Sequence, residues 1–246
     1  MVGCGRIAQN HFKAIEKFRR SFKLICVSDV DKKRLDKISN LYKVNKYLKI
    51  EEMINNEQLD LIVICTPNGL HAKQALQISK HNTDVLIEKP IVLNLHDGRK
   101  LVKTYRNNKK NLFAVMQLRY NETLLTLKKA LEENRFGKIH LVQINVFWTR
   151  TSKYYSSDKW RGTKKLDGGT FLNQAIHYVD LLNWLFGSID YVQAIMSKHL
   201  DIEFEDTGIM NIKWKNGTLG SLSVSVLTYP QNLEASINGK PIRIIE

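Results

Sequence analysis

The stretch Val2-Gly3-Cys4-Gly5-Arg6-Ile7-Ala8, near the start of the chain, decides the fold. It fits the pattern G-x-G-x-x-A, in which the first glycine permits a tight turn and the second lets the backbone approach a pyrophosphate. A small third residue lets the next helix pack on a sheet, and the start of that helix offers N–H groups to phosphates. We therefore predict a dinucleotide-binding loop. The loop residues expected at the cofactor are Gly3, Gly5, Arg6 and Ile7.

An acidic residue closes the next predicted strand. Asp29 lies 24 residues after Gly5, where a carboxylate accepts hydrogen bonds from the adenosine ribose hydroxyls. Such a carboxylate disfavours a 2′-phosphate, so the sequence predicts a preference for NAD over NADP, although the neighbouring Arg34 weakens it. The alternative role for Asp29 is to cap the helix that follows.

The first half of the chain alternates short apolar runs with amphipathic segments. Strands are indicated at 22–28, 59–66, 85–87 and 112–116. Helices are indicated at 8–18, 31–42, 71–80 and 95–105. Strands that alternate with helices of about ten residues are typical of βαβ units and a parallel sheet. We expect an α/β domain of the Rossmann type over residues 1–117.

The pattern changes after residue 117. Helices are indicated at 122–133, with a stop at Gly137, and at 170–186; a long strand is indicated at 139–148 and a loop at 151–169. Two alternating runs, 207–214 and 218–226, are joined by Lys215-Asn216-Gly217, and Asn-Gly is a strong hairpin signal. Residues 118–246 are therefore expected to form an α+β domain with a mainly antiparallel sheet.

The composition excludes several classes of protein. No apolar run reaches the roughly 18 residues that span a membrane, and no secretory signal opens the chain. Three cysteines at no metal-like spacing indicate a reduced, cytoplasmic protein without a metal site. The net charge of +14 is spread along the chain without a motif typical of nucleic-acid binding. We expect no nucleic-acid partner, and a basic surface attracts anionic small molecules equally well.

Several motifs together resemble the Gfo/Idh/MocA oxidoreductase family. In the first half they are the loop at 3–8, Thr66-Pro67-Asn68 with His71, and Glu88-Lys89-Pro90. In the second half, three more are similar to a subgroup that oxidises UDP-sugars, the UDP-N-acetylglucosaminuronate 3-dehydrogenases of bacterial polysaccharide synthesis (WlbA/WbpB type). These are Trp160-Arg161-Gly162-Thr163, Asp167-Gly168-Gly169, and the segment from Asn173 to His177. Many family members carry Asp where this chain has Asn173, and the subgroup tolerates Asn there.

The resemblance implies an NAD-dependent enzyme that oxidises a secondary hydroxyl of a sugar, at C3 of a UDP-N-acetylhexosamine or its uronate. His177 is the candidate base, because an imidazole titrates near neutral pH, and Lys89 is the candidate group that positions the oxygen. On one continuous helix Asn173 and His177 would share a face. Further expected cofactor contacts are Thr66, Asn68, His71, Glu88, Lys89 and Gln117. Expected substrate contacts are Arg119, Tyr120, Asn121, Trp160, Arg161, Asn173 and His177.

Some of these residues have a second interpretation. His71 either caps a helix or touches ribose. Trp160 is as typical of packing as of a substrate contact, and a lone histidine in an apolar helix, such as His177, is commonly a packed residue. The motif context favours the functional role for His177 and Lys89.

Two other functions stay open at this stage. One is oxidation of a free sugar or polyol such as inositol, and the other is NAD binding without catalysis. The second arises because only Met1 and Val2 precede the loop, where a strand of about five residues is expected, and because family members continue well beyond Ile237. We expect a shortened first strand and a curtailed C-terminal domain. A homodimer or homotetramer is implied by the resemblance alone.

Overall fold

The chain divides into two compact units. A computed structural model describes residues 1–228, 234–237 and 240–243, and the two units are Met1–Val115 and Met116–Glu246. Both match the predicted class, an α/β unit followed by an α+β unit. Asn238, Gly239 and residues 244–246, where the C-terminal domain was expected to be curtailed, lie outside the described residues.

The first unit alternates strands and helices, as the sequence predicts. Its strands are β1 (Cys26–Ser28), β2 (Asn45–Tyr47), β3 (Leu61–Ile64), β4 (Asp84–Ile87) and β5 (Leu112–Ala114). Its helices are α1 (Ala8–Lys17), α2 (Lys32–Tyr42), α3 (Ile50–Asn56), α4 (His71–Ile78) and α5 (Leu95–Asn107). All strand pairs are parallel: β1 pairs with β2, and β4 lies between β3 and β5. The βαβ prediction is therefore confirmed.

Residues 1–3 join the two halves of this sheet: Ser28 N donates to Met1 O at 2.9 Å, and Gly3 N donates to Ser28 O at 2.8 Å. Val2 forms parallel bridges with Ser28 on one side and Ile64 on the other. Its N–H donates to Val63 O at 2.8 Å, and Cys65 N–H donates to Val2 O at 2.7 Å. Val2 thus occupies the central strand position, between β1 and β3, and the glycine loop follows it at the carboxyl end of the sheet. Open α/β sheets bind their ligands at that end.

Alternate residues of these strands pack on opposite faces of the sheet. Val2, Ile62 and Ile64 belong to one buried apolar cluster, and Val27 and Val63 belong to another. Strands buried on both faces read as continuous apolar runs, which is why these segments stand out in the sequence.

The second unit contains a four-stranded mixed sheet. Its helices are α6 (Glu122–Glu132), α7 (Ser152–Ser156), α8 (Thr170–Asn173) and α9 (Ile176–Phe186). Its strands are β6 (Leu141–Phe147), β7 (Ile189–Ser197), β8 (Thr207–Trp214), β9 (Leu219–Ser225), β10 (Glu234–Ile237) and β11 (Lys240–Arg243). The sheet order is β6-β9-β8-β7, with β6 and β9 parallel and the other pairs antiparallel. The predicted hairpin at Asn216-Gly217 joins β8 to β9, and Gly217 has φ +88°.

Two predictions for the second unit were wrong in detail. The segment 151–169 contains the short helix α7 and is not only a loop. The expected helix 170–186 is two helices, because Ala175 takes φ −89° and ψ 0° and separates α8 from α9. Asn173 and His177 therefore do not share one continuous helix. Five further elements were not predicted: β2, α3, β7, β10 and β11.

Candidate functional site

The first glycine of the loop is required by the backbone. Gly3 has φ +88°, and a Cβ there would lie 2.7 Å from Cys65 O. By contrast, a Cβ at Gly5 would meet only Arg34 Nη1, at 3.6 Å. Gly3 therefore serves the fold, whereas Gly5 leaves space beside the loop, which is the fit that a pyrophosphate requires.

The start of α1 suits an anion. The N-cap residue is Ile7, whose side chain has no oxygen to cap the helix, and no acidic residue lies in the first turn. Both Arg6 and Ile7 are exposed. Gln9 N and Asn10 N donate within the first turn, to Arg6 O at 3.3 Å and to Ile7 O at 3.0 Å, so an anion at this helix start would meet the N–H groups that precede Gln9.

The carboxylate of Asp29 is fastened to the glycine loop. Its Oδ2 accepts from Cys4 N at 2.7 Å and its Oδ1 accepts from Asp31 N at 2.8 Å. The helix cap expected as its alternative role belongs instead to Asp31, which accepts from Arg34 N. Arg34 Nη1 lies 3.8 Å from Asp29 Oδ2. Each Asp29 oxygen can accept a further hydrogen bond, as ribose hydroxyls require.

The cysteine of the glycine loop is buried. Burial, and after it the charge of Asp29, raises the pKa of the Cys4 thiol to about 12. A thiol is reactive only as the thiolate. Cys4 is therefore a small packing residue between the two glycines.

A buried histidine ties two loops of the first unit together. The His71 ring is fully buried; its Nδ1 lies 2.7 Å from Pro90 O and its Nε2 lies 2.8 Å from Thr66 O. Burial lowers the pKa of His71, and the two carbonyl contacts oppose that change. This link between Thr66-Pro67-Asn68 and Glu88-Lys89-Pro90 was not among the roles expected for His71. Nearby, Thr66 Oγ1 donates to Gln74 Oε1 at 2.5 Å.

The glutamate of Glu88-Lys89-Pro90 is bound within the first unit. Glu88 is buried, and its Oε1 lies 2.7 Å from Nε2 of His11 in α1. Its Oε2 accepts from Lys89 N at 3.2 Å, and the Lys89–Pro90 peptide is cis. Glu88 thus couples this motif to the helix that follows the glycine loop. The expected direct contact of Glu88 with cofactor stays a prediction.

In the second unit, the candidate base contacts an amide. Gln117 Nε2 lies 3.2 Å from Nε2 of His177, and the His177 side chain is 7% exposed. When the amide N–H of Gln117 donates, His177 Nε2 is the acceptor, so the neutral ring carries its proton on Nδ1. A neutral ring with a lone pair on Nε2 is the form that can take a proton. Gln117 was expected at the cofactor, and its contact with His177 was not predicted.

The residue that replaces the aspartate of related proteins is itself held by an aspartate. Asn173 Nδ2 donates to Oδ1 of Asp167, and Gly162 N donates to the other oxygen of Asp167 at 2.9 Å. Asp167 is 1% exposed and Asn173 is 7% exposed. The motifs Trp160-Arg161-Gly162-Thr163 and Asp167-Gly168-Gly169 therefore meet at α8, an arrangement that their separation in the sequence does not reveal.

Two of the expected substrate contacts have partners inside the second unit. Arg119 makes two hydrogen bonds to Asp180, from Nε at 2.7 Å and from Nη2 at 2.5 Å, which raise the pKa of its guanidinium. Asn121 caps α6 by accepting from Thr123 N. Tyr120 is 83% exposed. Of these three, Tyr120 is the one whose side chain is open to a ligand.

Two arginines stack on one tyrosine ring. The guanidinium carbons of Arg161 and Arg150 lie 4.4 Å and 5.0 Å from the centroid of the Tyr154 ring. Arg161 also stacks on Trp160 at 4.6 Å, and its Nη1 donates to Tyr154 Oη at 2.6 Å. Its nearest carboxylate is Asp158, at 3.5 Å. We name Arg150, Tyr154, Trp160 and Arg161 the arginine–aromatic cluster; Arg150 and Tyr154 were not predicted as site residues.

The charge of this cluster is only partly balanced. Arg150 Nη2 donates to Gln174 Oε1 at 3.2 Å, and Arg150 Nε has no hydrogen-bond partner among the described residues. The only carboxylate within ion-pair distance of either arginine, in the part of the chain that the structure describes, is Asp158. Arginine forks held by stacking suit a carboxylate or a phosphate.

The described residues contain no set of three or more His, Cys, Asp or Glu side chains that could hold a metal ion. Likewise, no helix in the described ranges is long and apolar enough to cross a membrane.

Comparison with known proteins assigns both halves of the chain. Residues 1–116 match a model described as an oxidoreductase family with an NAD-binding Rossmann fold. Residues 124–244 match the GFO/IDH/MocA C-terminal domain.

Two solved structures are similar over nearly the whole chain. The WlbA dehydrogenase from Chromobacterium violaceum, in complex with NADH and UDP-GlcNAcA, is 45% identical with a TM-score of 0.92, covering 94% of this chain and 68% of that chain. The WlbA dehydrogenase from Bordetella pertussis, with the same two ligands, is 41% identical with a TM-score of 0.92, covering 95% of this chain and 68% of that chain. A more distant relative is the myo-inositol 2-dehydrogenase of Thermotoga maritima, 27% identical, covering 95% of this chain and 71% of the relative.

Proposed function

The chain belongs to the Gfo/Idh/MocA family of NAD-dependent oxidoreductases, and we propose that it oxidises the C3 hydroxyl of a UDP-N-acetylhexosamine or its uronate. The observation that carries this proposal is the similarity, at 45% and 41% identity, to two dehydrogenases whose structures hold NADH and UDP-GlcNAcA. UDP-GlcNAcA is accordingly the first substrate to test. The product would serve bacterial polysaccharide synthesis in the cytoplasm.

The cofactor site of the proposal lies in the first unit. NAD, when bound, accepts the hydride that leaves the sugar carbon. Asp29 would bind the adenosine ribose, and the open space at Gly5 with the uncapped start of α1 would receive the pyrophosphate. Other residues assigned here to cofactor binding are Gly3, Arg6, Ile7, Thr66, Asn68, Glu88, Lys89 and Gln117. His71, which was also expected there, is assigned a supporting role, because its buried ring contacts Pro90 O and Thr66 O.

Proton removal is assigned to the second unit. We propose that the lone pair on His177 Nε2, which accepts from the Gln117 amide in this structure, takes the hydroxyl proton once the substrate hydroxyl has replaced Gln117 as its partner. Lys89 would donate a hydrogen bond to the same hydroxyl oxygen and so favour loss of its proton. Asn173 cannot accept a proton at neutral pH and would bind the substrate by hydrogen bonding alone.

The arginine–aromatic cluster would bind the charged part of the substrate. Arg161 is held between two aromatic rings, and Arg150 adds a second cation at Tyr154. A diphosphate or a uronate carboxylate would balance these charges, whereas a neutral polyol would not. Tyr120, Trp160 and Asn173 are the other substrate contacts that we propose. Arg119 and Asn121 are supporting residues in this proposal, because their polar groups bind Asp180 and Thr123.

The test compares substrates from the competing classes. Purified protein with NAD is offered UDP-GlcNAcA, UDP-N-acetylglucosamine and myo-inositol in separate reactions. The rate of NADH formation, measured by absorbance, gives kcat/KM for each substrate. We expect the highest kcat/KM for UDP-GlcNAcA. A preference for myo-inositol would support the alternative suggested by the Thermotoga maritima relative. NAD binding without turnover of any of the three would support a non-catalytic protein.

A self-associated form is a further part of the proposal. The outer face of the four-stranded sheet exposes large apolar side chains on every strand: Leu141, Phe147, Tyr191, Ile195, Ile209 and Leu219. Contiguous exposed apolar surface commonly marks an interface. We propose a homodimer or homotetramer formed through this face. Light scattering of the eluting protein tests it, and replacement of Ile195 and Ile209 by Lys should give a smaller species.

A further inference from the structure

The orientation of the Gln174 side-chain amide is determined by an arginine. Arg150 Nη2 lies 3.2 Å from Gln174 Oε1, and Gln174 Nε2 lies 3.0 Å from Tyr154 Oη. A guanidinium carries N–H donors and no acceptor, so the amide atom that faces Arg150 is the oxygen. The nitrogen of the same amide therefore faces Tyr154 and donates a hydrogen bond to its hydroxyl oxygen.

The Tyr154 hydroxyl oxygen accepts a second hydrogen bond. Arg161 Nη1 donates to it at 2.6 Å, and this guanidinium, too, can only donate. The oxygen of Tyr154 is thus an acceptor toward both of its neighbours, and what remains is the hydroxyl hydrogen. Among the residues that the structure describes, Tyr154 Oη forms these two hydrogen bonds and donates none. Its hydrogen is therefore available to a ligand.

The surroundings of this hydroxyl are positively charged. The guanidinium carbons of Arg161 and Arg150 lie 4.4 Å and 5.0 Å from the centroid of the Tyr154 ring. Two N–H donors on one hydroxyl oxygen polarise its O–H bond, because linked hydrogen bonds strengthen one another. A polarised O–H group beside two cations favours an acceptor that carries negative charge.

The next residue of α7 provides an internal comparison. The rings of Tyr154 and Tyr155 lie 5.1 Å apart. The Tyr155 hydroxyl is buried and has no hydrogen-bond partner among the described residues. One short helix thus holds a tyrosine whose oxygen accepts from an arginine and an amide, and a tyrosine whose oxygen accepts from neither.

We propose that Tyr154 is a specificity-determining residue for the substrate: its hydroxyl hydrogen binds an anionic oxygen of the nucleotide sugar, beside the guanidinium of Arg161. Gln174 is a positioning residue, since it keeps the hydroxyl oxygen as an acceptor and leaves the hydrogen to the ligand. This inference rests on the proposed function, because it takes a UDP-sugar as the substrate. The anionic oxygen belongs to the uronate carboxylate or to the diphosphate, and the experiment distinguishes these two sources.

The first experiment removes the hydroxyl and keeps the ring. Calorimetry measures the binding of UDP-GlcNAcA, UDP-N-acetylglucosamine and UDP, in the presence of NAD, to the parent, Tyr154→Phe and Tyr155→Phe. We expect Tyr154→Phe to weaken UDP-GlcNAcA on the order of tenfold, as for loss of a hydrogen bond to a charged group. Tyr155→Phe should leave the affinity unchanged. A carboxylate partner predicts a loss for UDP-GlcNAcA alone, whereas a diphosphate partner predicts a loss for all three ligands.

The second experiment keeps the hydroxyl and offers its hydrogen another acceptor. Gln174→Glu places a carboxylate oxygen where the amide nitrogen faces Tyr154, while the other oxygen still accepts from Arg150. The hydroxyl should then donate to this carboxylate, and UDP-GlcNAcA should bind more weakly than to the parent. In the Gln174→Glu background, the further change Tyr154→Phe should have little additional effect, because the hydrogen no longer reaches the ligand. Losses that simply add in the double variant would overturn the proposal.

The remaining outcomes separate this role from packing and from the proposed function. Melting temperatures are measured for every variant. Equal affinity of the parent and Tyr154→Phe for UDP-GlcNAcA would overturn the proposal, as would equal losses in Tyr154→Phe and Tyr155→Phe. A parent that binds none of the three ligands would overturn it as well. Binding that depends on the Tyr154 hydroxyl without NADH formation would refute the proposed oxidation and support this inference.

Discussion

The imidazole Nε2 of His11 lies 2.7 Å from Oε1 of Glu88, and this contact links the helix that follows the glycine loop to the Glu88-Lys89-Pro90 motif. The two side chains are 16% and 7% exposed, so water screens the pair only partly. The contact therefore joins the helix start to which we assign the pyrophosphate with the segment that carries Lys89, to which we assign the substrate hydroxyl. The sequence distance between the two motifs gives no indication of this link.

Loss of His11 should weaken both folding and cofactor binding. His11→Ala leaves the buried Glu88 carboxylate with only the Lys89 N–H, which we expect to cost about 1–3 kcal/mol of unfolding free energy. Adding Glu88→Gln removes the unpaired charge and should recover part of the loss. Lys13→Ala, at an exposed position of the same helix, is the matched control. Chemical denaturation and NAD titration measure both effects; parental stability in His11→Ala would contradict the prediction.

Substitution of the two loop glycines should affect different properties, stability for Gly3 and NAD binding for Gly5. Gly3→Ala introduces a side chain at φ +88° and against Cys65 O, so we expect a loss of roughly 1–3 kcal/mol of stability. Gly5→Ala has no such clash and should melt near the parental temperature while NAD binding weakens. Calorimetric melting and NAD titration separate the two outcomes. Equal NAD affinity in Gly5→Ala would mean that the pyrophosphate lies elsewhere.

Asp29 should determine which dinucleotide binds. The parent should bind NAD more tightly than NADP, and Asp29→Ala should weaken NAD by about 1–3 kcal/mol. Because Asp29 also accepts from Cys4 N and Asp31 N, the variant should in addition melt at a lower temperature. Asp60→Ala, an exposed carboxylate in the same unit, should change neither property. Equal or tighter NADP binding by the parent would refute the assignment.

His177 and Lys89 should affect turnover more than cofactor binding. His177→Ala or His177→Asn should reduce turnover about 10²–10⁴-fold, the usual contribution of a general base, with NAD affinity nearly intact. The acidic limb of the pH profile should disappear, since it reports protonation of the base. Lys89→Ala should also lower turnover and weaken NAD, and Asn173→Ala should have a smaller effect. NADH formation across pH checks these expectations; an unchanged acidic limb in the His177 variants would make His177 a packing residue.

Arg161 should act on substrate affinity. Arg161→Ala removes a charged fork, so KM for UDP-GlcNAcA should rise on the order of 10–100-fold, while NAD affinity stays the same. Arg161→Lys keeps the charge but loses the planar fork, so its KM should lie between those of the parent and of Arg161→Ala. Lys164→Ala, on the exposed part of the same loop, is the control. A lower melting temperature with an unchanged KM would show that Arg161 only packs on Tyr154 and Trp160.

Features coded by neighbouring residues were predicted well. The glycine loop, the alternation of strands and helices in the first unit, and the Asn216-Gly217 hairpin all follow from local patterns of glycine and apolar residues. The break at Ala175 has no such signal, because neither glycine nor proline lies between Asn173 and His177. Strand β7 was missed because its residues are mostly exposed on both faces, which removes the alternation on which the prediction depends.

Contacts between distant residues could not be predicted. His11 with Glu88, Asp167 with Asn173 and Arg119 with Asp180 are polar pairs that only the folded chain brings together. Motif resemblance named one member of each pair as a site residue. The resemblance did not reveal that each of these site residues already forms a hydrogen bond with another residue of the chain. For Arg119, the bonds to Asp180 make a supporting role more suitable than a substrate contact.

The parallel pairing of β6 with β9 sets an order for folding during synthesis. Leu141 pairs with Leu219, so the edge of β6 has no partner in this sheet until the ribosome has released β9, whereas the first unit can complete its sheet once β5 has emerged. Pairing between strands far apart in sequence is slow, because a long loop must close before any contact forms. The second unit should therefore complete its folding late. Until it does, a newly made chain can bind chaperones or aggregate through the unpaired strands.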